Sequence, residues 1–241
     1  VFSVAAPGPV LLLVAPMVRA YALVRFTTPL SAELLGPRVL LLGPIALSTA
    51  AYAAGLAFVQ ADLRRIVAWL TISQSAVVLV GLECSEGAGL TGGIVSWLSA
   101  AAGMTGLGLS AWMLEARFGP LDIKKHRGLY RRSRALALVF LLSGLSLVGF
   151  PGTVGFASLD LLSSAVLASF PITGILLFFA TALSGFTVLR TYLRLFHGPP
   201  AQGPELALLP REWLALLIPF ALVIVQGLYP GFRERYADRL S

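Results

Sequence analysis

Seven stretches of this chain are apolar over the length of a bilayer, and almost no charge interrupts them. They cover 9–26, 39–59, 66–82, 92–114, 135–169, 172–193 and 212–229. A helical span needs about 20 predominantly apolar residues to cross the hydrocarbon layer. In that layer every backbone N–H and C=O must be satisfied within the protein, so runs of this kind fold as helices. The expected fold is all-α and integral to the membrane, with about seven transmembrane helices packed as a single domain over 1–241. Charged residues make up only 12% of the chain, where soluble domains carry about 25%.

The fifth run is too long for one straight helix. It carries Gly149-Phe150-Pro151-Gly152-Thr153-Val154-Gly155 near its middle. Proline removes a backbone donor and clashes with the preceding turn, and glycine adds no stiffness. The pattern predicts a helix broken around Pro151, Gly152 and Gly155, with halves over 135–150 and 155–169. A proline kink or a short hairpin is the competing form. A true break at membrane depth is tolerated only where the freed backbone is buried in protein or lines a wet cavity.

The net charge is +7. Its placement between the apolar runs points to topology and lipid headgroups rather than nucleic acid. With the loops counted alternately, one side holds Arg64, Arg65, Arg117, Lys124, Lys125, Arg127, Arg131, Arg132, Arg134, Arg190, Arg194 and Arg211. The other side holds Arg25, Arg38, Arg233, Arg235 and Arg239. The excess assigns the first side to the cytoplasm; a bacterial-type inner (plasma) membrane is the expected location. The chain then starts inside and ends outside. It begins with Val and has no basic stretch before its first apolar run, so it does not read as a signal peptide and is expected to be a segment of a longer chain.

Small-residue runs at 50–55 and 99–108 predict close helix approach. The one cysteine, Cys84, cannot build a disulfide, a zinc site or an iron–sulfur centre alone. His126 and His197 fall in polar connections and read as loop surface. No phosphate-binding loop or nucleophile–base set is present, so no cofactor is expected on this chain.

What remains is the set of polar and ionisable groups inside the spans, which are costly in lipid and mark function by default. Arg19 lies in the first span and Asp160 in the second half of the broken helix. A carboxylate beside a helix break is a group type that carries protons in membrane proteins. It serves equally well as partner to an arginine or to freed backbone amides. Arg19 cannot release its proton and reads as a holder of water or of a carboxylate. Asp62 is placed to cap the following span, which Arg64 and Arg65 begin. Glu83 and Glu86 are expected to be solvated at the far end of that span. Thr71, Ser73, Gln74, Ser99, Thr105 and Ser184 are in-span polar groups, suited to holding water or to bridging helices. The ion-pathway candidates are Asp160, Arg19, Arg64, Ser99, Thr71 and Gln74.

Several stretches, in order, resemble one family. The segment Gln60-Ala61-Asp62-Leu63-Arg64-Arg65, followed by Thr71-Ile72-Ser73-Gln74, is similar to a stretch of the antiporter-like proton-channel subunits of respiratory complex I. Pro7-Gly8-Pro9, Arg127-Gly128-Leu129, Pro210-Arg211-Glu212-Trp213 and Gly227-Leu228-Tyr229-Pro230 resemble other landmarks of that family. The Gly149–Phe156 segment looks like the helix break of its subunit M type. The broader family includes subunits L and N and the corresponding subunits of cation/proton antiporters and membrane hydrogenases. The resemblance implies the C-terminal half, helices eight to fourteen of fourteen. It also implies ion (proton) translocation within an NADH-quinone oxidoreductase, with other membrane subunits and lipid around it and peripheral redox subunits as partners. Against the family pattern, Met17 replaces a lysine, Ser99 to Met104 replaces a histidine or lysine region, and Leu159 replaces a charged position. Asp160 is the expected substitute. Two other readings remain open: a non-redox ion-coupled transporter, such as a multisubunit cation/proton antiporter or an inorganic-carbon uptake system, and a structural membrane subunit without conduction.

Overall fold

A computed structural model of the protein describes residues 42–84, 87–199 and 208–228. The expected first span, and Arg19 within it, lie outside these residues, as does Glu86. Seven α-helices are described: α1 Leu42–Val59, α2 Leu63–Glu83, α3 Gly87–Phe118, α4 Arg134–Leu147, α5 Val154–Ser169, α6 Ile175–Phe196 and α7 Pro210–Leu228. A 3₁₀ turn, Leu129–Arg132, precedes α4. Among the described residues, four helical segments are long and apolar enough to cross a membrane: Leu42–Val59, Leu63–Glu83, Thr91–Phe118 and Ile175–Phe196. The shorter α4 and α5 follow one another in series. The fold is the expected all-α membrane bundle.

The break between α4 and α5 is real, and local chemistry makes it. Gly149 takes φ 75°, a left-handed conformation that costs a residue with a Cβ about 1–2 kcal/mol. This closes α4 in a Schellman cap, in which Phe150 N–H donates to Leu145 O at 3.1 Å and Gly149 N–H donates to Ser146 O at 3.3 Å. Pro151 follows, where the helix has already ended. The Thr153 hydroxyl then donates to Phe150 O at 2.7 Å, and Phe156 N–H to Thr153 O at 3.1 Å, which starts α5.

Small residues set the packing, as lipid provides no apolar driving force between helices. Ala46, Ala50, Ala54 and Ala57 recur at helical spacing on the buried face of α1, which packs on α2 and α6. Gly81 and Gly93 bring the α2 and α3 backbones together, since a Cβ on Gly93 would stand 2.8 Å from the Gly81 carbonyl carbon. The small-residue run of α3 lies on α4, with Gly103 against Leu147 and Gly106 against Ser143.

Two large apolar cores result among the described residues. One gathers Leu63, Ile66, Leu70, Met104, Leu107, Leu114, Leu136, Phe140 and Phe196. The other gathers Leu47, Ala50, Val77, Val80, Leu162, Val166 and Leu177. Along α2 the first core ends at Leu70 and the second begins at Ala76. Along α6 the second core runs to Ala180 and the first resumes at Val188.

Two expectations need correction. The span expected over 92–114 runs further, because α3 stays helical to Phe118 and Glu115 is buried inside it. Glu83 is half-buried rather than solvated, and its Oε2 is enclosed without a hydrogen-bond partner among the described residues.

Candidate functional site

Between the two cores lies a layer of hydroxyl and amide groups, level with the break. Ser73 and Gln74 enter it from α2, Ser99 from α3, Ser143 and Ser146 from α4, Ser158 from α5, and Thr181 and Ser184 from α6. All are buried. Ser73 donates to Ala50 O at 2.9 Å and so joins α2 to α1. Gln74 Nε2 donates to Leu147 O at 3.2 Å. That carbonyl belongs to the last turn of α4, where intrahelical partners run out, so the α2 amide caps the break from across the bundle. The hydroxyls of Ser99 and Ser146 stand 3.4 Å apart. The Ser184 hydroxyl is enclosed without a partner among the described residues.

These groups surround a small cavity with room for a water molecule. Gln74, Ser96, Ser99, Ser146, Ser158 and Thr181 supply its polar lining, with Gly149 and Gly155 from the two edges of the break. None of its lining side chains is ionisable. Its chemistry is therefore that of neutral oxygens and freed carbonyls, which can orient water across the bundle.

The sequence-derived candidates divide. Gln74, Ser99 and Gly155 meet in the cavity lining. Pro151 and Gly152 are exposed in the break. Thr71 lies nearly one turn before Gln74 and turns away, donating to Val67 O at 2.8 Å with Met104 Sδ at 3.5 Å. Asp160 stands on the exposed side of α5, whereas its neighbours Ser158 and Leu159 line the cavity. Ser96, Ser146, Ser158 and Thr181 were not among the candidates. The spacing of Ser143 and Ser146, three apart just before the break, was the available signal.

Arg64 sits at the basic end of the bundle and pairs with the buried carboxylate of Glu115. Glu115 also accepts from Leu121 N–H at 3.5 Å. Asp62 caps α2 by accepting from Arg64 N–H at 3.0 Å. A second pair, Arg117 with Glu212, ties α3 to the start of α7, and Glu212 accepts from Leu209 N–H at 2.9 Å. Both partners of this second pair are largely buried, with 16% and 17% of their side chains exposed. A double-mutant cycle on Arg117→Gln and Glu212→Gln, read by thermal unfolding in detergent, is expected to give a coupling of roughly 1 kcal/mol. Additive single effects would deny the tether.

Comparison with known proteins fits this geometry. Residues 2–184 match the family described as NADH:quinone oxidoreductase/Mrp antiporter, transmembrane. NADH-quinone oxidoreductase subunit 13 of Thermus thermophilus is 30% identical over 220 residues, covering 90% of this chain and 46% of that protein. A chain of the respiratory complex I structure from Thermus thermophilus superposes with a TM-score of 0.82 at 28% identity, covering 92% of this chain and 48% of that one. A chain of the Mrp complex from a Dietzia species gives a TM-score of 0.64 at 27% identity, covering 67% and 31% respectively. The chain thus spans less than half the length of that curated relative.

Proposed function

This chain belongs to the NADH:quinone oxidoreductase/Mrp antiporter transmembrane family, and from that premise we propose that it is an ion-translocating, proton-conducting membrane subunit of a complex I-like oxidoreductase. The observation that carries the reading is the helix broken beside a buried layer of oxygens. Broken helices at membrane depth are characteristic of ion pathways, because unwound carbonyls and helix ends replace water around a moving charge. Here the Leu147 carbonyl at the break meets Gln74, and Ser99 faces Ser146, around a cavity with room for a water molecule. The relatives named above belong to multisubunit complexes, which supports neighbouring membrane subunits as partners. Redox cofactors would sit on peripheral subunits, with this subunit in a bacterial plasma membrane and its basic end in the cytoplasm.

Conduction in this reading passes along water held by the neutral layer, and Asp160, on the outward side of α5 next to the cavity-lining Leu159, is the carboxylate the reading adds to the path. Asp160→Asn in the assembled complex, reconstituted in proteoliposomes with a pH indicator, is expected to lower the protons moved per electron while leaving NADH oxidation in detergent unchanged. An unaltered proton yield would remove Asp160 from the path.

A second reading, a structural subunit without conduction, is favoured by one observation: the cavity lining carries no ionisable side chain. It predicts that every substitution in the layer leaves proton yield intact as long as the complex assembles.

A further inference from the structure

The outer faces of α1 and α6 form a continuous apolar strip. Tyr52, Phe58 and Val59 are exposed on α1, and Phe186, Leu189 and Leu193 on α6. The spacing of the last three follows one helical stripe. At the basic end, cations from three elements crown this strip. The Arg190 guanidinium lies 5.3 Å from the Phe58 ring centre and donates to the Phe58 carbonyl. Arg194 Nη1 reaches Lys124 O at 3.5 Å. The side chains of Arg65 and Lys124 are 73% and 75% exposed.

The backbone fixes these cations in place. Leu63 N–H donates to Leu121 O at 3.1 Å, Ile123 N–H to Ala61 O at 2.9 Å and Arg127 N–H to Arg194 O at 2.9 Å. The 119–133 connection is thereby stitched to both the α1–α2 turn and the end of α6. Two acids stand among the cations, Asp62 at 3.9 Å from Arg65 and Asp122 at 3.9 Å from Lys124. Both pairs are long and exposed, so they neutralise little.

An apolar strip topped by positive charge is complementary to a lipid with a negative headgroup. We propose that this corner binds an anionic phospholipid, with its acyl chains along Phe58, Phe186, Leu189 and Leu193 and its phosphate among Arg65, Lys124 and Arg194. An acidic protein segment would satisfy the cations but leave the apolar strip below them without a match. The proposal rests on the membrane reading alone and not on the ion path, so proton yield and lipid binding can fail separately.

The test is native mass spectrometry on the delipidated protein, in the complex with which it purifies, titrated with phosphatidylglycerol or phosphatidylcholine of identical chains. Wild type is expected to retain phosphatidylglycerol preferentially. Lys124→Gln with Arg65→Gln is expected to weaken that preference about five-fold per cation removed, whereas Lys124→Arg keeps it. Unchanged thermal unfolding of the variants would certify their fold, and if the double variant unfolds, Lys124→Gln alone carries the same five-fold expectation. Equal retention of the two lipids by wild type would overturn the proposal. So would a preference that survives loss of both cations, or displacement of phosphatidylglycerol by a co-purifying acidic protein.

Discussion

Gly155→Val is expected to unfold or misassemble the protein. A Cβ at Gly155 would run into the Ser146 carbonyl oxygen and stand 3.2 Å from Ser99 Oγ. The first obstacle is backbone, which cannot rotate away as a side-chain tip can. The start of α5 must then separate from the end of α4, and the cavity between them loses its shape. Overpacking of this kind typically costs about 1–3 kcal/mol, and a backbone obstacle places Gly155→Val at or beyond the upper end. At roughly 2–4 °C per kcal/mol for a chain of this size, unfolding in detergent should fall by about 10 °C, where any folded protein is recovered. Gly152→Ala is the control. Nothing lies within 4 Å of that position, so only its φ of 88° resists substitution, at about 1–2 kcal/mol. If Gly155→Val unfolds with the wild type, α4 and α5 do not approach one another as described.

Gln74→Leu is expected to lower both transport and stability. Leucine matches glutamine closely in size but cannot donate to Leu147 O, a bond of 3.2 Å in the buried layer. A buried carbonyl left without its donor costs about 1–3 kcal/mol. The same change lines one wall of the cavity with hydrocarbon. In the reconstituted complex, protons moved per electron should fall several-fold while the complex still assembles, and unfolding should shift by several degrees. Gln74→Glu retains a polar group at the cavity and should lose less transport than Gln74→Leu. Full proton yield in Gln74→Leu would favour the subunit without conduction.

The helix break shows how much of this was legible in residue order. Gly149, Pro151 and Gly152 announce it, because positive φ and a missing N–H are properties of single residues. The structure adds that Gly149 closes a Schellman cap and that Pro151 falls beyond the helix end. Asp62 was likewise readable as a cap, since capping is local. Glu115 was not. Its burial and its pairing with Arg64, 51 positions earlier, depend on how far α3 extends and on where the 119–133 connection folds back. Glu83 was misjudged for the same reason, because a helix end at the membrane surface says nothing about which neighbours enclose it.

Order and composition alone determined that the chain is a helical membrane bundle with one interrupted span, since bilayer length, satisfied backbone and proline chemistry leave little choice. Only tertiary structure decided which polar residues share a site. It gathers serines from α3, α4 and α5 with Gln74 of α2, and turns Thr71 and Asp160 away from them. Helical rotation, at about 100° per residue, fixes which face a side chain takes only after packing has chosen the partner of each helix.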